Sequence, residues 1–179
     1  MLKYDITKTG KENILPLLNA SAKEGVVVTA SDVAFGAVSA STDQAGANSK
    51  ITLTVVEGST VVNGESPELV RHYVRLDLEE TLISLGVDSA DIVLDRDGSD
   101  ADHLAAFVAA SGIKLETADV VITKDADKVT FTMAADHYGL IGSSVVNFPA
   151  VVLPTLDEVF TEPALNGFAD PTKVEGKRK

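Results

Sequence analysis

Between Asp88 and Asp102 the sequence carries Asp88, Asp91, Asp95, Asp97, Asp100 and Asp102. Hard cations such as calcium take oxygen ligands, and Asp-rich loops supply them. The stretch Asp95-Arg96-Asp97-Gly98-Ser99-Asp100 is the nearest approach to such a loop. It lacks the Asp-x-Asp-x-Asp-Gly register, has no Glu at the twelfth position and holds Arg96 inside it. It reads as a solvated loop running into a helix N-terminus, where the macrodipole favours aspartate. The histidines are His72, His103 and His137, and none has an i, i+4 partner of the metal-helix kind. His72 falls in a strand pattern, His103 on a helix and His137 at a turn, where structural histidines are the ordinary case. No nucleophile elbow, phosphate loop or dinucleotide fingerprint occurs. Gly139-Leu140-Ile141-Gly142 is glycine-rich but has no lysine after it. Without cysteine there is no thiolate ligand, thiol nucleophile or disulfide. The expectation is a non-enzyme: no catalytic, cofactor-binding or metal-binding residue is assigned, and no cofactor or small-molecule substrate is expected.

The periodicities place these residues on alternating helices and strands. Ile14, Leu15, Leu17, Leu18 and Ala22 give a helical face over about Glu12 to Lys23, with Pro16 in its first turn and Gly25 as its cap. Val26 to Val28 and Thr29 to Phe35 read as extended, and Gly36 to Lys50 as an exposed loop. Ile51-Thr52-Leu53-Thr54-Val55 alternates as a half-buried strand should, and Leu69 to Leu76 alternates again. Gly58 and Asn63-Gly64 mark turns. A helix over Leu78 to Leu85 stops at Gly86. Ser99 or Asp100 caps a further helix that runs to Ala110 and ends at Gly112. Val129 to Met133, Val145 to Phe148 and Val151 to Leu153 are strand candidates.

Of 179 residues, 45% are hydrophobic and 5% aromatic, so a core must be built from Val, Leu, Ile and Ala. The formal charge is −12. Residues 171–179 hold Lys173, Lys177, Arg178 and Lys179 against Glu175, a net +3, so the remainder carries −15. A body of that sign gains nothing from phosphate neutralisation, and nucleic acid is not an expected partner. No stretch approaches the roughly 20 apolar residues of a membrane helix, and the polar first residues have no signal-peptide stretch. A soluble protein made in the cytoplasm is the expectation.

Two parts of the chain echo each other. Gly25-Val26-Val27-Val28-Thr29-Ala30-Ser31-Asp32-Val33 parallels Gly112-Ile113-Lys114-Leu115-Glu116-Thr117-Ala118-Asp119-Val120, with one constant spacing between the glycine and the Asp-Val pair. Each follows a helix and precedes a Thr-alternating strand. Each strand leads to a Gly-Xaa-Ser, Gly64-Glu65-Ser66 or Gly142-Ser143-Ser144. The expected fold is α+β, with two related modules, each a helix on antiparallel strands. They are drawn as residues 1–86 and 87–160, followed by an extended C-terminal arm, 161–179.

The run Ile51 to Ser59, the turn Asn63 to Ser66 and the closing Tyr73-Val74-Arg75-Leu76-Asp77-Leu78 resemble a module of tailed-bacteriophage virion proteins. His137 to Ser144 resembles the turn of that module in the second copy. There, Phe148-Pro149-Ala150 stands where Tyr-Xaa-Arg would be, so a contact made by Arg75 is not duplicated. The resemblance covers about Asn13 to Phe148. It implies a structural part of a virion, made in the host cytoplasm: a head decoration or a neck, tail or baseplate piece. Its partners would be other virion proteins and copies of itself, with no membrane. The rival reading is a carbohydrate- or host-receptor-binding module on a virion appendage. The expected assembly contacts are Arg75 and, on the arm, Leu165, Phe168, Lys177, Arg178 and Lys179. The apolar pair would lie on a neighbouring subunit and the basic end against an acidic surface.

Overall fold

The computed structural model describes residues 3–63, 68–150 and 154–159. They fold as α1 (Gly10–Ser21), β1 (Val33–Ala40), β2 (Ser49–Val55), β3 (Glu68–Tyr73), β4 (Leu76–Asp77), α2 (Leu78–Leu85), α3 (Asp100–Ser111), β5 (Val120–Lys124), β6 (Lys128–Met133), β7 (Leu140–Ile141), β8 (Ser143–Asn147) and α4 (Leu156–Val159). The fold is α+β.

Both long helices open on the same device. The Thr9 hydroxyl accepts from the Glu12 N–H while the Glu12 carboxylate accepts from the Thr9 N–H at 2.8 Å. Ser99 and Asp102 make the equivalent reciprocal pair before α3. Each box satisfies two donors that a helix start leaves without partners. The box on Thr9 starts α1 two residues before the apolar face suggests. Pro16 therefore sits inside the helix rather than in its first turn. Gly86 and Gly112 close α2 and α3 in the left-handed conformation that glycine adopts without penalty.

Each helix of this pair is followed by a three-stranded antiparallel meander with its middle strand in the centre. The orders are β1-β2-β3 after α1 and β5-β6-β8 after α3. The two Asp-Val pairs do the same local work. The Asp32 carboxylate accepts from the Thr29 N–H at 2.9 Å, and the Asp119 carboxylate from the Glu116 N–H at 2.8 Å. In each case the following valine is the first residue of a strand. The loop read over Gly36 to Lys50 is shorter than expected. β1 runs on to Ala40, and its register with β2 shifts between Phe35 and Val38. Gly36 lies in that bulge, where a Cβ would come 3.1 Å from the Thr52 carbonyl oxygen. The strand β5 has no counterpart in the sequence reading. Gly64-Glu65-Ser66 and Val151 to Leu153 lie outside the described residues.

Alternation decides which face of each meander is covered. In β6, Val129, Phe131 and Met133 are buried, and in β2, Ser49, Ile51 and Leu53 are. Two clusters result. The larger gathers Leu104, Phe107, Ile113, Phe131 and Val146 with Leu78, Leu82 and Leu140. The smaller holds Ile14, Val38, Ile51 and Leu53, flanked by Leu18, Phe35, Tyr73 and Tyr138. Leu78 and Leu82 of α2 belong to the larger cluster, although α2 precedes residue 86.

The described residues up to Pro149 make one compact unit, and those from Ala150 to Val159 belong to a second. In the second, Thr155 opens α4 by a capping pair with Glu158, whose carboxylate accepts from the Thr155 N–H at 2.7 Å. No helix among the described residues is long and apolar enough to cross a membrane.

Candidate functional site

Tyr73-Val74-Arg75-Leu76-Asp77-Leu78 forms the joint between the two halves of residues 1–149, and each alternate residue has a task there. The Tyr73 hydroxyl donates to the Tyr138 carbonyl at 2.8 Å. Arg75 is buried, at 7% exposure, and its side chain points across the joint. Its Nε donates to the Ser49 hydroxyl at 2.6 Å, and its Nη1 donates to the Ala135 and His137 carbonyls at 2.8 and 3.0 Å. Its charge is solvated by these oxygens, and burial pulls its pKa down from the ordinary value. Asp77 caps α2 by accepting from the Glu80 N–H at 3.1 Å. Leu78 then enters the large core fully buried. The Arg75 backbone is clamped as well. Its N–H donates to Asn48 Oδ1, and its carbonyl accepts from Asn48 Nδ2, both at 2.8 Å.

His137 sits under this joint, 4% exposed. Its Nδ1 accepts from the Gly139 and Leu140 N–H groups at 3.2 and 2.9 Å, so the neutral ring carries its proton on Nε2. Nε2 lies 3.9 Å from the Asp119 carboxylate. Burial lowers the His137 pKa, and the Asp119 charge opposes that shift without overcoming it. The ring faces Gly10, where a Cβ would come 2.9 Å from it. Tyr4 packs against Gly139 so closely that a side chain at 139 would overlap its ring. Burial, then the charge of Asp119, pushes the Tyr4 phenol up to about 12.

Beside the joint opens a cleft of about 500 Å³. Its apolar lining comes from Ile6, Val74, Leu76, Leu85 and Ile141, and its charged rim from Lys3, Asp77 and Glu80. Val74, Leu76 and Leu85 are 48%, 41% and 41% exposed, high for side chains of their type. The cleft has an apolar floor and a polar edge, the composition of sites that hold side chains or small molecules.

Arg75, expected as an assembly contact, is thus turned inward and committed to three hydrogen bonds. Leu165, Phe168, Lys177, Arg178 and Lys179 lie outside the described residues. The Asp88 to Asp102 run is dispersed into local turns. Asp88 accepts from the Ala90 N–H, Asp95 from the Asp97 N–H, and Asp102 from Ser99. Arg96 reaches away to the Ala126 and Pro149 carbonyls and stacks 4.9 Å over the Phe148 ring. Among the described residues no three His, Asp or Glu side chains are placed to hold a metal ion together. His72 bonds Ser41 at 2.8 Å, and His103 bonds the Asp95 carbonyl at 2.8 Å. Sequence reasoning missed Tyr4, Asn48 and Ser49 as parts of the joint.

A family model described as a family of unknown function, DUF7941, matches residues 3–179, and the chain belongs to that family. No curated protein matches the chain. No solved structure matches it.

Proposed function

We propose that this family member is a non-enzymatic structural component of a tailed-phage virion that works through protein–protein contacts. One observation carries the reading: the meander after α3 is covered on one face and bare on the other, and the bare face carries a single charged side chain, Lys128, at its end. Thr130 and Thr132 of β6 point away from the core. They pair with Val145 and Ser143 of β8 and with Thr123 and Val121 of β5. In an antiparallel sheet, directly paired residues share a face. Val121 and Val145 are 59% and 38% exposed there. On a chain of net charge −12, a Thr-Val-Ser sheet face with no carboxylate and one lysine at its end is where another protein can approach with little desolvation of ions. The resemblance at Ile51 to Leu78 supports the virion setting. The residues that carry it, Tyr73, Arg75 and Asp77, tie the halves into a single body, as a load-carrying part requires.

Mass spectrometry of purified particles tests the proposal. The expected result is the chain at a stoichiometry that survives repeated banding. Hundreds of copies per particle would make it a decoration protein, and a handful would favour the receptor-binding reading. Absence from particles that contain the other structural proteins would overturn it.

A further inference from the structure

Resting on that assembly reading, we propose that the cleft beside the joint receives the C-terminal segment of a second copy, with Phe168 in the apolar floor and Lys173 at the acidic helix α2. The cleft's 500 Å³ accommodates an aromatic side chain and its neighbours, and its floor offers Val74, Leu76 and Leu85 half-open to solvent. Residues 161–179 hold two large apolar side chains, Leu165 and Phe168, between Pro163 and Pro171. The prolines fix φ near the extended value and lower the entropy lost on docking.

Charge selects the place. The α2 helix opens with Asp77, Glu79 and Glu80, while residues 171–179 net +3. On the cleft's own rim only Lys3 opposes, because the Arg75 cation is held by carbonyls across the joint. Five extended residues from Phe168 to Lys173 span about 17 Å. The eight-residue α2 is about 12 Å long. With Phe168 in the cleft, Lys173 can therefore reach any acidic residue of α2, and the cations at 177–179 lie beyond the helix on the same acidic body. A −15 body and a +3 end on every copy also make the contact repeatable from one copy to the next.

The test uses the full-length chain. Sedimentation equilibrium should show self-association that weakens at least tenfold in Phe168→Ala and again as salt rises. Glu80→Lys should weaken it similarly. Lys173→Glu combined with Glu80→Lys should recover part of the loss. In methyl-labelled Phe168→Ala protein, a synthetic peptide of residues 161–179 should shift the Val74, Leu76, Leu85 and Ile141 resonances. Equal association of wild type and Phe168→Ala, or peptide shifts confined to other methyls, would overturn the proposal. Particle mass spectrometry is independent of these outcomes. A chain found in virions whose cleft ignores the peptide sinks this inference alone.

Discussion

The two halves of residues 1–149 share an order of elements and differ in what holds them. The half built on α3 is an apolar body: fifteen buried side chains form one cluster, with Phe107 and Phe131 stacked at 4.4 Å between centroids. The cluster of the half built on α1 has four buried apolar side chains among the described residues. Polar clamps take over there, and three of them are asparagines. Asn13 bonds both the N–H and the carbonyl of Asp5. Asn19 does the same to Val28, and Asn48 to Arg75. Each amide copies one rung of a strand ladder. A buried Leu or Phe contributes about 1.5–3 kcal/mol, while a hydrogen bond nets only about 1 kcal/mol. The α3 half should thus set the stability of the whole, and the α1 half should be positioned by it through the joint. A region held by directional bonds keeps its shape with little core, but each bond carries more of the load.

The largest expected effect lies in the stronger half. Phe131→Ala removes a fully buried ring from the centre of β6 and should cost roughly 3–5 kcal/mol in a urea titration. Native-state hydrogen exchange should then show protection falling across all of residues 3–149. Ile51→Ala, in the smaller cluster, should instead open β1 to β3 while β5, β6 and β8 stay protected. Uniform loss in both variants would dissolve the distinction between the halves.

The elements of both halves were largely legible in the sequence, the contrast between their cores was not, and the limits are physical. Leu78 to Leu85 as a helix followed from its periodicity and Gly86, because local signals dominate there. Alternation placed β2 and β6 because Thr and apolar residues keep a period of two. The β5 strand was missed because Val120-Val121-Ile122 runs on without alternation and Lys124 ends it. The joint was invisible because its parts are far apart in the chain. Arg75 meets Ala135 and His137 sixty residues away, and no local pattern marks such a partner. Arg75 was expected as an assembly contact through the resemblance, and a sequence motif does not say whether an arginine turns outward or inward.

Arg75→Ala sharpens the comparison by cutting the joint while leaving both clusters intact. The substitution strands the Ala135 and His137 carbonyls and should cost roughly 2–3 kcal/mol. The α1 half should lose exchange protection first. Arg75→Lys should restore little, since an ammonium cannot span Ser49 and two carbonyls in the guanidinium's planar geometry. Full protection of β1 to β3 in Arg75→Ala would show that the α1 half stands without the joint.

Acid should work on the same joint. His137 is neutral in the folded chain with its pKa held below the ordinary 6.5, so below that value the unfolded chain binds the extra proton. The stabilisation is present above about pH 6.5 and is lost as pH falls through the folded pKa, at no more than about 1.4 kcal/mol per pH unit. Protonation puts a hydrogen on Nδ1, where the Gly139 and Leu140 N–H groups already point. The surrounding charges are Asp119, Asp136 and the Arg75 cation. Asp5, Glu12, Asp32 and Asp102 have lowered pKa values from their hydrogen bonds, and their loss comes later, below the ordinary carboxylate range. Denaturation midpoints from pH 8 to 5 should therefore fall in wild type and stay flatter in His137→Gln. Parallel curves would remove His137 from the account.

The smallest effect gives the cleanest control, because the same device occurs once in each half. Thr9→Ala and Ser99→Ala each delete one hydroxyl from a capping box and leave the core untouched. In isolation each cap is worth about 1 kcal/mol. The consequences should differ because the helices sit in different surroundings. α3 contributes Leu104 and Phe107 to the large cluster, so fraying at Ser99 disturbs packing that the whole unit shares. The loss in Ser99→Ala should thus appear in full in the global unfolding free energy. α1 contributes Ile14, and its start is also held by Asn13 on Asp5. Thr9→Ala should leave the global midpoint within a few tenths of a kcal/mol of wild type. It should instead speed exchange at the amides of Lys11 to Asn13. Equal global losses in the two variants would mean that α1 is as much a part of the cooperative core as α3, whatever the number of apolar side chains beneath it.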